Sequence, residues 1–353
     1  GPGAQIQQVD PEEPYFERRA IAEDIISKEY EKVVLIGGVD TGKSTLAILL
    51  SNLALEKNLK PAVIDGDVGQ ADIGPPGFVT LSYPDQPVVW MRELKPKLMK
   101  FIGDIKPQHH VDQIIHAILE LTEIALGDQR RPVIIDTDGW IGDEYAIDYK
   151  YRLVSALKPD AVVVIGEEIA GAFKRFESIG VKVYVTKAPV SRRARNREER
   201  RMLRRDKYCE FLEKASEKKL DLASTVVIGH PLFYSVEIAK PQNTELQDSS
   251  EILYTGKLGD TLVVLAKHAL RNESLEYLKK LYGVDKVKLY VAGFEKRLYA
   301  AVSDGFRDYP AFVERLDLRE KAIVLRTGFD GEVKIVKLSC IRLAEDYSEQ
   351  VSG

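Results

Sequence analysis

The stretch "VVLIGGVDTGKSTLAILL" constrains this chain more than any other part of it. A continuous apolar run is followed by a glycine-rich turn and then by leucines at helical spacing, and Gly37-x-x-x-x-Gly42-Lys43-Ser44 spans the turn. Residues of that kind in that order build an anion cradle. The amides of Gly37, Gly38, Val39, Asp40, Thr41 and Gly42 would line the loop, and the helix opening at Lys43, Ser44 and Thr45 would add the positive end of its dipole. Lys43 reaches toward β- and γ-phosphates, and the Ser44 hydroxyl can ligate Mg²⁺. The motif therefore predicts strand, loop and helix locally, and a nucleoside triphosphate as ligand.

The surrounding pattern extends this into a fold. From residue 31 onward, short apolar runs alternate with helical patterns: "KVVLIGG", "PAVIDGD", "RPVIIDTDG", "DAVVVIGE", "KVYVTKA" and "STVVIGH". None of them alternates polar with apolar, as expected for strands covered on both faces. The predicted class is α/β, a P-loop NTPase domain whose mostly parallel sheet is flanked by helices, with ligands at the carboxyl ends of the strands. Near residue 232 the period changes to two, as in "EVKIVKLSCIRL", with one helical stretch, "NESLEYLKKLYG". We read residues 31–231 as the P-loop domain, with an arginine-rich lid near 190–210, and 232–353 as a smaller β-rich C-terminal domain. Residues 1–30 read as an N-terminal segment: a cloning remnant, Gly1-Pro2-Gly3, and a lead-in helix.

Absent signatures narrow the class. Thr186-Lys187-Ala188-Pro189 stands where a guanine-reading motif would carry a carboxylate, and proline occupies that place. The residue before Gly37 is Ile36, so the extra loop lysine of some dimerising P-loop ATPases is missing as well. Kinases and general ATPases remain. Two further strand ends carry acids. "VIDGDVGQ" places Asp65 and Asp67 where either can face a γ-phosphate, as metal ligand or as proton acceptor. Gln70 follows close behind. "VIIDTDGW" places Asp136 at the usual position of a Walker B acid, and leaves Trp140 at the strand edge, where an aromatic can stack on a base.

These motifs together resemble the polynucleotide 5′-hydroxyl-kinase family of the Clp/Grc/Nol type, in an archaeal style. The matching residues are "GGVDTGKST", "DVGQ" followed by "PPG", "TDGW", and an Arg-x-x-x-Arg pair within "RRARNREERRMLRR". The resemblance implies transfer of the γ-phosphate of ATP to the 5′-hydroxyl of single-stranded RNA, and of DNA, with ATP and Mg²⁺ bound. It implies that Lys43 and Ser44 hold phosphate and metal, and that Asp67 activates the hydroxyl beside Gln70. Thr137, Gly139 and Trp140 would then clasp the terminal nucleotide. Asp65 is a further candidate metal ligand with Ser44 and Asp67. By the same resemblance, the separate N-terminal domain of the family's larger members is not expected here.

That arginine run holds eight arginines in fourteen positions, in a chain whose formal net charge is −4. An acidic protein makes its nucleic-acid contacts locally rather than by a general positive field. Read as helix, Arg193, Arg197, Arg201 and Arg204 share one face, with Met202 and Leu203 packing inward. Arg197 and Arg201 are the expected catalytic pair over the transferring phosphoryl group; Arg193 and Arg204 are expected backbone contacts to the nucleic acid. Two cysteines without metal spacing suit a reducing cytoplasm, and no apolar run approaches a membrane span. The competing expectation is an ATP-bound scaffold of an RNA-processing complex without transferase activity. Protein partners are not legible.

Overall fold

In a computed structural model the described residues are 14–190, 193–242 and 246–350; the Gly1-Pro2-Gly3 remnant lies outside them. The chain divides into two compact units, one closing at Tyr208 and the other opening at Cys209. This division falls earlier than the 231/232 boundary expected from the change of period.

The first unit runs α1 (Tyr15–Ser27), β1 (Lys32–Gly37), α2 (Lys43–Glu56), β2 (Ala62–Asp65), β3 (Phe78–Ser82), β4 (Leu98–Phe101) and α3 (Val111–Gly127). It continues through β5 (Val133–Asp136), α4 (Glu144–Leu157), β6 (Ala161–Ile165), α5 (Glu167–Phe173) and β7 (Lys182–Thr186) to α6 (Arg197–Leu212), which carries the chain across the division. Its sheet has the order β4-β3-β2-β5-β1-β6-β7. The strands β2, β5, β1, β6 and β7 are mutually parallel. Beyond β2 the sheet is extended by antiparallel β3 and β4, which the sequence reading did not anticipate.

Side chains of β1 explain why its apolar run is continuous. Val34 and Ile36 join Ile118, Leu121, Tyr149 and Leu153 on one face, while Val33 and Leu35 join Ile25, Leu46 and Leu50 on the other. Two cores thus cover one sheet, and all five parallel strands end on the same edge. That edge carries the glycine loop after β1, Asp65 and Asp67 after β2, Asp136 and the 137–140 turn after β5, and Lys187 after β7.

The second unit contains β8 (Ser216–Asp221), β9 (Val226–Ile228), β10 (Val236–Glu237), β11 (Ile252–Leu258), β12 (Thr261–Ala266), α7 (Asn272–Tyr282) and β13 (Lys286–Val291). It ends with β14 (Leu298–Ser303), β15 (Asp308–Asp317), β16 (Ala322–Thr327), β17 (Ile335–Leu343) and β18 (Glu349–Gln350). One sheet orders β10-β11-β12-β13 and the other β18-β17-β14-β15-β16-β8, with β9 on β17. The run "STVVIGH" is therefore not a strand of the parallel P-loop sheet. Its strand β9 pairs with β17, Val227 against Val336, because an apolar run records burial and not which sheet supplies it.

Candidate functional site

The loop after β1 adopts the anion-cradle form. Gly42 caps α2 with φ +85°, a left-handed geometry that costs other residues strain, and Thr41 Oγ1 closes the turn on Gly38 O at 2.8 Å. Lys43 Nζ donates to Gly38 O at 2.8 Å, so its ammonium lies across the loop. Val39 and Thr45 are exposed and Gly38 and Asp40 partly so, while Gly37 and Thr41 are buried beneath them.

Ser44 Oγ donates to Asp136 Oδ2 at 2.8 Å, joining the start of α2 to the end of β5. The other oxygen, Asp136 Oδ1, is buried and accepts no hydrogen bond among the described residues. Burial pushes the Asp136 carboxyl up to about 7, against the pull of Lys43 and Ser44. Asp72, which the sequence reading passed over, lies beside Ser44 as well. A lone buried carboxylate oxygen beside a serine hydroxyl and a phosphate cradle fits a Mg²⁺ ion, which takes one or two carboxylates and fills its shell with phosphate and water. Among the described residues no three His, Cys, Asp or Glu side chains are arranged to hold a metal by themselves.

Asp65 does not fit the metal role expected for it. Its Oδ1 accepts from Asp67 N at 3.1 Å, and its Oδ2 accepts from Asp72 N at 2.7 Å and Ile73 N at 3.1 Å. The carboxylate staples the 65–73 loop and has no oxygen turned to a ligand. Asp67 is held differently. Its Oδ1 takes the N–H groups of Gly69 at 3.1 Å and Gln70 at 2.9 Å, and Oδ2 has no hydrogen-bond partner among the described residues. Burial, then the nearby Asp138, push its carboxyl up to about 6.

In the 137–140 turn, Thr137 turns its hydroxyl away from the site, onto Leu35 O at 2.6 Å. Gly139 lies against the phosphate loop itself: a Cβ there would come within 2.5 Å of Val39 Cγ2 and 2.8 Å of Val39 N. Such contacts with backbone cannot be relieved by a rotamer change. We expect Gly139→Ala to raise the KM for nucleotide at least tenfold, measured by initial rates; an unchanged KM would show that the loop tolerates the shift. The half-buried Trp140 donates Nε1–H to Asp143 Oδ2 at 2.7 Å and lies 6.0 Å, centroid to centroid, from Tyr149.

The arginine run departs from its expected geometry. The helix begins at Arg197, capped reciprocally by Asn196 Oδ1 with Glu199 N (2.8 Å) and Glu199 Oε2 with Asn196 N (3.0 Å). Arg193 thus precedes the helix and pairs with Glu199 at 2.7 Å rather than sharing a face with Arg197. The expected inward packing of Met202 and Leu203 is also reversed, since they are 48% and 41% exposed. Arg200, Arg201, Arg204 and Tyr208 form the less exposed stripe of α6, while Arg197 is exposed. Gln70 Nε2 lies 3.5 Å from Arg200 O, bringing the start of α6 to the Asp67 loop.

Arg18 also escaped the sequence reading. In α1, it is buried and donates through one nitrogen to Thr41 O at 2.8 Å and Lys187 O at 3.0 Å. It ties the lead-in helix to the phosphate loop and to the turn after β7.

A family profile described as "mRNA cleavage and polyadenylation factor CLP1 P-loop" matches residues 37–214, half of the chain. This chain belongs to the CLP1 P-loop family. Among similar family members, the polyribonucleotide 5′-hydroxyl-kinase of Pyrococcus furiosus is 31% identical, the match covering 91% of this chain and 90% of that one. Counterparts with the same name from Methanocaldococcus jannaschii and Pyrococcus abyssi are 30% and 27% identical, over 96% and 90% of this chain and 93% and 89% of theirs. Among solved structures, that of wild-type Clp1p in complex with a Pcf11p segment superposes with a TM-score of 0.61 at 15% identity. That match covers 93% of this chain and 78% of the other, and shows a shared fold. No described helix is long and apolar enough to cross a membrane.

Proposed function

We propose that this family member is an ATP-dependent polynucleotide 5′-hydroxyl kinase acting on single-stranded RNA ends, and on DNA ends of the same chemistry. The names of the archaeal relatives support the reaction class. The observation that carries the reading for this chain is the separation of its two working carboxylates. Asp136 is bonded to Ser44 and suits the metal, while Asp67, on its own loop, keeps Oδ2 unengaged. A nucleotide-bound scaffold needs only the first; transfer to an attacking hydroxyl also uses the second.

Ser44 and Asp136 would hold a Mg²⁺ ion, whose chemistry would be to neutralise charge developing on the phosphates. Lys43 would bind the β/γ oxygens and the loop amides the remaining phosphate charge. Asp67 Oδ2 takes the proton of the 5′-hydroxyl as its oxygen forms the new bond to the γ-phosphorus, and the bond to the β-phosphate oxygen breaks to release ADP. Arg201, with Arg197 one turn before it, covers the transferring group. Gln70 borders the acceptor, and Arg204 and Arg193 would meet the nucleic-acid backbone. Trp140 stacks on the terminal base. Such stacking is worth about 1–3 kcal/mol, so Trp140→Ala should raise the KM for oligonucleotide roughly tenfold or more with the KM for ATP unchanged; a constant oligonucleotide KM would return the indole to a packing role.

The direct test uses γ-labelled ATP and a short RNA with a 5′-hydroxyl beside the same RNA with a 5′-phosphate. Label on the hydroxyl RNA alone is the expected result. ATP bound without any labelled product would overturn the kinase reading in favour of the scaffold.

A further inference from the structure

Lys150 in α4 is wholly buried, an expensive place for an ammonium group. Its Nζ donates to Asp138 Oδ1 at 2.8 Å and to Trp140 O at 3.1 Å, and lies 4.2 Å from the centroid of the Tyr149 ring. Asp138 Oδ1 also accepts from Trp140 N at 3.0 Å, and its Oδ2 accepts from Tyr149 OH at 3.0 Å. The same helix supplies Asp143, which caps α4 at Ala146 N and accepts the indole N–H.

Every hydrogen bond of the ion pair thus ends on Trp140 or on Tyr149, against which its ring packs. Both main-chain polar groups of Trp140 are held by the pair, its ring nitrogen by the cap, and its ring by a tyrosine from the next turn. As a device for stability alone this would be a poor choice, because a buried ion pair is often bettered by apolar side chains of similar volume. What it supplies is one fixed orientation. A half-buried tryptophan at the end of a turn would otherwise sample several, and each binding event would have to select among them.

We propose that Lys150 is a positioning residue for the acceptor substrate: with Asp138 and Tyr149 it presets Trp140 to receive the terminal nucleotide. This rests on the kinase reading for its substrate, but not for its mechanical part. None of its hydrogen bonds reaches the phosphate loop, so its loss should weigh on acceptor binding and spare the nucleotide.

The test pairs Lys150→Met with Asp138→Asn, so that neither charge is left alone in the interior, in a Trp90→Phe background that leaves Trp140 as the single indole of the chain. Trp90 is exposed and lies on a separate turn, so its replacement serves as the reference protein. The double variant should show severalfold stronger acrylamide quenching of Trp140 fluorescence without substrate. Its KM for 5′-hydroxyl RNA should rise about tenfold, with the KM for ATP within threefold of the reference. Unchanged quenching, or both KM values rising together, would overturn the proposal by reducing the pair to a general structural role. Tyr149→Phe removes one hydroxyl and no charge; it should move the same two readouts in the same direction, about threefold, and decides the matter if the double variant does not fold. Failure of the reference protein to label RNA would count against the kinase reading alone, because quenching still reports whether Lys150 holds the indole.

Discussion

Asp67→Asn is expected to abolish phosphoryl transfer to within the detection limit of a labelling assay, a loss of about 10²–10⁴ or more in kcat, while ATP still binds. The amide keeps an oxygen for the Gly69 and Gln70 N–H groups, so the loop holds its shape, but it cannot take the proton of the 5′-hydroxyl. Two consequences of the raised carboxyl make the result diagnostic. In the parent, kcat/KM, which reports ionisations of the free enzyme, should climb with pH and level off above about 6, where Asp67 has lost its proton. The same upward displacement means the folded state holds this proton more tightly than the unfolded chain does. Ionisation therefore removes stability as pH rises from about 4, the ordinary carboxyl value, through about 6. Asp67→Asn should accordingly be more heat-stable than the parent at neutral pH, as read by thermal unfolding. An inactive and stabilised variant separates a missing proton acceptor from a damaged fold. Substantial activity in Asp67→Asn would remove it from that role.

Arg201→Ala should lower kcat by about 10³, at the lower end of what an arginine over a transferring phosphoryl group supplies, with the KM for ATP changed only a few-fold. The position of Arg201 on the inner stripe of α6 favours it over Arg197, which is exposed at the first turn. Arg197→Ala should therefore cost less, about tenfold. Equal losses at both positions would mean that α6 rotates when substrates bind. A change confined to KM at Arg201 would make it a binding group. Steady-state kinetics with both substrates varied distinguishes these outcomes.

The parts of this site built from neighbours in sequence were legible, and the parts built across the fold were not. The glycine loop, the carboxylates at strand ends and the 137–140 turn are local, because a parallel sheet gathers strand ends on one edge whatever the helices do. The acid proposed for the metal shows the limit: "VIDGD" and "VIIDTD" look alike, and only the hydrogen bond from Ser44 to Asp136, with Asp65 engaged by three amides, separates them. The lid was readable as a helix but not in its orientation. Helical apolar residues ordinarily point inward, yet Met202 and Leu203 face out because arginines fill the inner stripe. Lys150 gave no signal, since a lysine between tyrosines on an amphipathic helix reads as solvated until Asp138 is seen beneath it. The edge strands β3 and β4 are short runs set among prolines, without the period that would mark them.

Arg18 changes what the lead-in helix is. Its guanidinium spans 23 residues of sequence to one carbonyl and 169 to another, so the first helix is a strut of the nucleotide site. A shortened chain beginning at β1 would keep every recognisable motif and every strand of the three sheets. It would nonetheless lose the brace that holds the phosphate loop to the turn after β7, and nucleotide affinity would fall with no motif residue touched. The minimal catalytic fragment is therefore set by a helix that carries no signature of its own.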